Sequence, residues 1–177
     1  FGGVFKEQLR AFKERESYTR NQWIDYQTVQ LRRVLLHAFD TVPYYNRLYS
    51  KFGFTRSQLD RFELGDLNKI PVLEKEDLRR FGTTDLISTR REKGGQFFTS
   101  SGSTGTPVKI LFSTTMHQTW RAAFEARILQ WAGVNHNSSR AMIGGRVVVP
   151  GGDQARPPFY RYNFFEKQIY FSIYHIK

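Results

Sequence analysis

Apolar and polar positions follow two rhythms along this chain, and the change near residue 96 divides it. Up to that point the spacing is helical. Phe5, Leu9 and Phe12 fall at i, i+4 and i+7 among lysines, glutamates and arginines, the buried stripe of a short helix. Asn21 is the expected N-cap of a second helix that buries Ile24, Leu31, Leu35 and Ala38 and stops at Thr41-Val42-Pro43. Tyr44-Tyr45-Asn46-Arg47-Leu48-Tyr49 predicts a short helix closed by Gly53, its paired tyrosines read as packing residues with polar tips rather than as a pocket gate. Thr55-Arg56-Ser57-Gln58 has capping-box form and predicts another helix through Leu59 and Phe62. Leu67, Ile70 and Pro71 connect it to a helix over Glu74–Phe81, acidic at its start, basic at its end and closed by Gly82. Adjacent Glu76 and Asp77 point about 100° apart on that helix, so they read as a solvated face rather than an acid/base pair.

From residue 96 the apolar runs shorten. Gln96-Phe97-Phe98 and Ile110-Leu111-Phe112 predict two strands around a polar loop. Ser113 or Thr114 should cap a long helix whose stripe of Trp120, Phe124, Ile128 and Trp131 reads as core, ended by Gly133. Ala141 to Val149 predicts a buried strand of a parallel sheet covered on both faces, with Gly144 and Gly145 marking a bulge or a close approach. A Gly/Pro-rich loop over Pro150 to Pro158 leads into the aromatic-basic segment Phe159–Gln168, and Ile169–Ile173 reads as a final strand. The expectation is an α/β chain. A helical N-terminal region, 1–95, is followed by a mixed sheet flanked by helices, 96–177, the two forming a single compact unit.

Composition narrows the class. With 177 residues, 40% hydrophobic and 16% aromatic, the chain can bury a real core. It has no cysteine, which excludes a disulfide framework and any Cys-based zinc site. No run approaches the roughly 20 apolar residues of a membrane helix, and no signal-peptide pattern opens the chain, so a cytoplasmic location is expected. The first residue is Phe1, and the expectation is a chain that starts inside a longer gene product. A net charge of +11 raises anionic partners as a class. The basic residues are scattered, with only short pairs at Arg32-Arg33, Arg79-Arg80 and Arg90-Arg91, and no RNP-type signature accompanies them. A basic nucleic-acid-binding or interaction domain is therefore the alternative reading. A homo-oligomer formed through an exposed sheet edge is a further one. His37, His117 and His136 have no partner at metal-ligand spacing.

The chemistry concentrates in Thr99-Ser100-Ser101-Gly102-Ser103-Thr104-Gly105-Thr106-Pro107-Val108-Lys109. Glycines admit positive φ and let the backbone come close to a ligand; hydroxyls donate to phosphate oxygens; Lys109 adds a point charge. Such a loop suits a polyphosphate, and an ordinary Ser/Thr/Gly turn between strands has the same composition. It is not a Walker A loop, because only Ser103 and Thr104 separate Gly102 from Gly105. Nor does it contain the Gly-x-Ser-x-Gly nucleophile elbow.

Thr99 to Lys109 resembles the phosphate-binding signature T-S-G-T-T-G-x-P-K of the adenylate-forming (acyl-CoA synthetase) superfamily, with Thr→Ser exchanges that keep each hydroxyl. Val108 stands where that pattern has lysine and Lys109 follows one step later, which in a strand turns the side chain to the other face. Val42-Pro43-Tyr44-Tyr45, followed by Leu67-Asn68-Lys69-Ile70-Pro71-Val72-Leu73-Glu74-Lys75, resembles the entry to the phenylacetate-CoA ligase branch, shared with capsular-polysaccharide biosynthesis proteins. The resemblance implies the N-terminal portion of an enzyme that uses ATP and Mg²⁺ to convert a carboxylic acid to an acyl-adenylate, with CoA the expected acceptor. It implies ATP phosphate contacts from Thr99, Ser100, Ser101, Gly102, Ser103, Thr104, Gly105, Thr106 and Lys109. No catalytic residue and no direct metal ligand is implied within this stretch, and the chain alone is expected to be inactive. His175 would line the acyl or CoA side of the site, or meet solvent at a strand end.

Overall fold

The computed structural model describes residues 2–100, 107–145, 148–149 and 156–175, with His175 described by its backbone alone. Contacts group the chain into two units, Phe1–Ala122 and Ala123–Lys177.

The first unit is built around a long helix. Helix α1 (Gly3–Glu14) buries Phe5 and passes through a 3₁₀ turn, Arg15–Ser17, into α2 (Arg20–Thr41). The cap of α2 is Thr19 rather than Asn21: Thr19 Oγ1 accepts the Gln22 N–H, and Gln22 Oε1 accepts the Thr19 N–H at 2.8 Å. Both residues are good caps, and the glutamine at the third helical position decides between them. Leu35 and Ala38 are buried as expected, whereas Ile24 is 43% exposed. Pro43 begins α3 (Pro43–Lys51), where a missing N–H costs nothing, and Gly53 takes the left-handed φ of +81° that closes it. The Thr55/Gln58 capping box starts α4 (Arg56–Asp60). Leu35, Ala38, Tyr49, Leu59 and Phe62 form the core, ringed by Leu31, Leu36, Phe39, Tyr45, Leu48, Phe54 and Ile70. A 3₁₀ turn, Leu64–Lys69, leads to α5 (Lys75–Phe81). Strands β1 (Gln96–Thr99) and β2 (Lys109–Phe112) then pair antiparallel as a two-stranded sheet.

Helix α6 (Thr114–Phe124) follows, with Ser113 Oγ accepting the Met116 N–H at 3.1 Å, and runs into a π-helical turn, Glu125–Leu129. The expected aromatic core stripe does not hold: Trp120 is 50%, Ile128 53% and Trp131 72% exposed. A π turn winds more residues per turn than an α-helix, so it shifts the phase of Ile128 and Trp131 within the stripe, whereas Trp120 lies ahead of it on the exposed side of α6. Ala122, Glu125 and Ala126 are buried instead.

In the second unit, β3 (Arg140–Gly144), β4 (Tyr160–Asn163) and β5 (Gln168–Ser172) form a sheet in the order β3-β5-β4. β3 and β5 are parallel and β4 and β5 antiparallel, so this sheet is mixed, as expected. Two expectations fail. The strands of residues 96–177 fall into two small sheets rather than one, and β3 is not covered on both faces, since Ile143 is 63% exposed. Strand β4 lies in the aromatic-basic segment, where no strand was expected.

Candidate functional site

The hydroxyl-rich loop springs from the β1–β2 hairpin. The register pairs Gln96 with Phe112, Phe97 with Leu111, Phe98 with Ile110 and Thr99 with Lys109. Cross-strand partners share a face, so Thr99 and Lys109 lie on one side with Phe97 and Leu111. The next pair, Ser100 and Val108, turns the other way, and Val108 is buried at 7% exposure. Offsetting the lysine by one residue therefore does turn it across the sheet. Thr99, Ser100 and Lys109 are placed; Ser101, Gly102, Ser103, Thr104, Gly105 and Thr106 lie outside the described residues.

Each face of the hairpin borders a cleft. One, of about 360 Å³, is lined by Gln96, Phe98, Phe112, Ser113 and His117. There the His117 ring stacks on Phe98 at 6.3 Å and 15°. The other, of about 270 Å³, has apolar walls of Leu78, Leu86, Ile87, Leu111 and Met116, with Arg91 and Lys109 on its lining. Among the described residues neither cation has an ion-pair partner. Glu92, the carboxylate on that lining, is engaged at the start of α6. It accepts the Thr115 N–H at 2.9 Å and the Thr115 hydroxyl at 2.7 Å. These bonds, led by the Thr115 N–H, hold its carboxyl below the usual carboxylate range. No sequence pattern announced this contact, because the two residues belong to different elements.

The upstream landmarks hold the approach to the hairpin. Thr41, at the end of α2, accepts the Thr89 N–H on its carbonyl at 2.7 Å and the Ser88 hydroxyl on Oγ1 at 2.9 Å. The Tyr44 N–H donates to the Asp85 carbonyl at 3.0 Å, and Arg47 pairs with the Asp85 carboxylate. The Tyr44 hydroxyl donates to Asp77 at 2.7 Å and its ring packs on Phe81 at 5.5 Å. Asp77 thus does more than solvate a helix face, while Glu76 keeps a surface pairing with Arg79 at 3.1 Å. Burial first, then the bond to Asp77 and its charge, push the Tyr44 phenol up to about 12. Two glycines fit the chain closely around β2. A Cβ on Gly82 would stand 3.0 Å from the Lys109 carbonyl, and one on Gly95 2.8 Å from that of Phe112.

A second polar cluster lies in the other unit. Glu125, in the π turn, is 1% exposed, and His136 Nδ1 sits 3.2 Å from its Oε1. The sequence offers His136 no partner at metal-ligand spacing, and only the fold brings Glu125 to it. Both terminal nitrogens of Arg140 are also buried. His175 ends a 3₁₀ turn, Ile173–His175, and its side chain lies outside the described residues.

No protein-family model matches the chain. It is similar to several curated proteins. Over 126 residues, 71% of this chain and 28% of the relative, it is 35% identical to a phenylacetate-coenzyme A ligase of Escherichia coli. Over 148 residues, 80% of this chain and 33% of the relative, it is 28% identical to the phenylacetate-coenzyme A ligase of Thermus thermophilus. Over 127 residues, 72% of this chain and 28% of the relative, it is 32% identical to that of Pseudomonas putida. The chain thus spans between 28% and 33% of the length of these relatives. With the tyrosine helix, the Ile70-Pro71 segment and the hydroxyl loop standing in the family's order, the chain belongs to the phenylacetate-CoA ligase family of adenylate-forming proteins.

Proposed function

We propose that this chain supplies the phosphate-binding part of an ATP-dependent ligase that activates a carboxylic acid as its acyl-adenylate and passes the acyl group to CoA. The observation that carries the reading is the hairpin: two paired strands present a Ser/Thr/Gly loop at their joined end, on a chain related to CoA ligases. In the proposed reaction a carboxylate oxygen attacks the α-phosphorus, the new C–O–P bond forms, and the bond to the β-phosphate oxygen breaks to release pyrophosphate. Charge gathers on the departing phosphates. Ser101, Ser103 and Thr104 would donate to those oxygens, Gly102 and Gly105 would shape the cradle, and Thr99, Ser100 and Thr106 would flank it. Lys109, turned toward the apolar cleft beside Arg91, is an auxiliary cation. Mg²⁺ would arrive with the nucleotide, held by phosphate oxygens and water. Among the described residues no three metal-ligating side chains cluster. The relatives' names put phenylacetate forward as the acid.

The chain matches 28% to 33% of its relatives' length, and acting alone it should not turn over. ATP–pyrophosphate exchange on the 177-residue chain should stay at background, while Mg-ATP titration should still report binding that Ser103→Ala and Thr104→Ala each weaken. Robust exchange would overturn the inactivity. Binding indifferent to both substitutions would overturn the phosphate cradle.

A further inference from the structure

The β1–β2 ladder ends irregularly at the loop. A hydrogen-bonded antiparallel pair exchanges two backbone bonds, each N–H meeting the opposite carbonyl. At Ser100 and Val108 the first is regular: the Ser100 N–H donates to the Val108 carbonyl at 3.0 Å. The second is not, because the Val108 N–H donates to Ser100 Oγ at 3.1 Å. A side-chain hydroxyl stands in for its own residue's carbonyl. The two strands part here, yet the last N–H before the loop is satisfied. Val108 is buried and Ser100 exposed, so the anchored strand is gripped by a group on the free one.

We propose that Ser100 is a positioning residue that closes the neck of the hydroxyl loop through Val108, leaving phosphate contact to the hydroxyls beyond it. This deepens the phosphate-cradle reading and rests on it for its functional consequence. Without the hydroxyl, the Val108 N–H has two courses. It can stay unpaired in a half-buried place, which is costly, or reclaim the Ser100 carbonyl, which extends the ladder by a pair and draws the loop ends together. Either course changes the spacing from which the loop departs. Threonine keeps the acceptor.

The test compares Ser100→Ala, Ser100→Thr and Ser103→Ala in the full chain. It reads amide exchange at Val108 without nucleotide, Mg-ATP affinity by titration, and the thermal midpoint. Ser100→Ala should change Val108 exchange and weaken Mg-ATP, each by about tenfold, the worth of one hydrogen bond, with little change in midpoint. Ser100→Thr should restore both, and Ser103→Ala should weaken Mg-ATP while leaving Val108 exchange unchanged. The proposal fails if Ser100→Ala leaves Val108 exchange as in the parent chain, or if Ser100→Thr does not restore it. Should the parent chain not bind Mg-ATP at all, the phosphate reading is what fails, and Val108 exchange still decides the neck.

Discussion

Tyr44 and Tyr49 are buried phenols in the first unit, and both titrate near 12, against 10 for an ordinary tyrosine. Burial is the main cause for each, joined by Asp77 at Tyr44 and by Tyr45 at Tyr49. The folded chain therefore holds protons that the unfolded chain has released. Their contribution to stability is complete below pH 10 and is lost as pH rises from about 10 through about 12. Urea midpoints measured from pH 8 upward should stay level and then fall in that window, about pH 10 to 12. Tyr44→Phe should make the fall shallower and cost about 1 kcal/mol at neutral pH, the net worth of its bond to Asp77. In the second unit, the buried Glu125 side chain lies beside His136. Removing the imidazole takes away the polar neighbour of a buried carboxyl group. His136→Ala should destabilise the chain by roughly 1–3 kcal/mol, and adding Glu125→Leu, which removes the stranded polar group, should recover part of the loss. A double-mutant cycle by chemical denaturation measures the coupling, and a His136→Ala effect below about 0.5 kcal/mol would mean that the pair contributes nothing to stability.

Helix α6 begins where two caps converge, Ser113 on Met116 and Glu92 on Thr115. Because the Glu92 carboxyl is held below its ordinary value of 4.5, its support is present above that pH and lost as pH falls through the lowered value. Glu92→Gln should speed amide exchange at Thr115 and Met116 and leave Ala122 unchanged. Equal exchange at Thr115 in both chains would remove Glu92 from the cap. Elements with local signals were legible in the sequence: the Thr55 capping box, Gly53 closing α3, and the two strands around the loop. Features that depend on distant partners were not. Glu92 on Thr115 and Glu125 beside His136 join residues that no spacing rule links. The stripe from Trp120 to Trp131 assumed an unbroken 3.6-residue period, and the π turn at Glu125 changes it. Four residues, Tyr160–Asn163, are too few for alternation to declare a strand until β5 pairs with them. At the candidate site the sideways turn of Lys109 could be read in advance. The side-chain bond at the loop's neck could not, because a serine hydroxyl has many local partners open to it.

At the scale of the whole chain, charge and apolar surface pull in opposite directions. The net charge of +11 drives copies apart. Exposed apolar groups draw them together: Phe164 is 81% and Phe165 100% exposed at the β4–β5 turn, and Ile143 is 63% exposed on β3. Among the described residues β3 is also an edge strand, paired only with β5, and a parallel pair seldom leaves such residues uncovered. Which influence prevails depends on ionic strength, because repulsion between like-charged copies is screened within about 10 Å at 0.1 M salt and about 3 Å at 1 M, while apolar attraction does not weaken as salt rises. Sedimentation at fixed protein concentration should therefore show the chain largely monomeric in dilute buffer and increasingly self-associated as salt is added. Ile143→Lys, which puts a charge on the edge strand, should shift the onset to higher salt. Association that instead dissolves with added salt would mean that ion pairs, not the uncovered strand, join the copies, and would remove β3 as the contact.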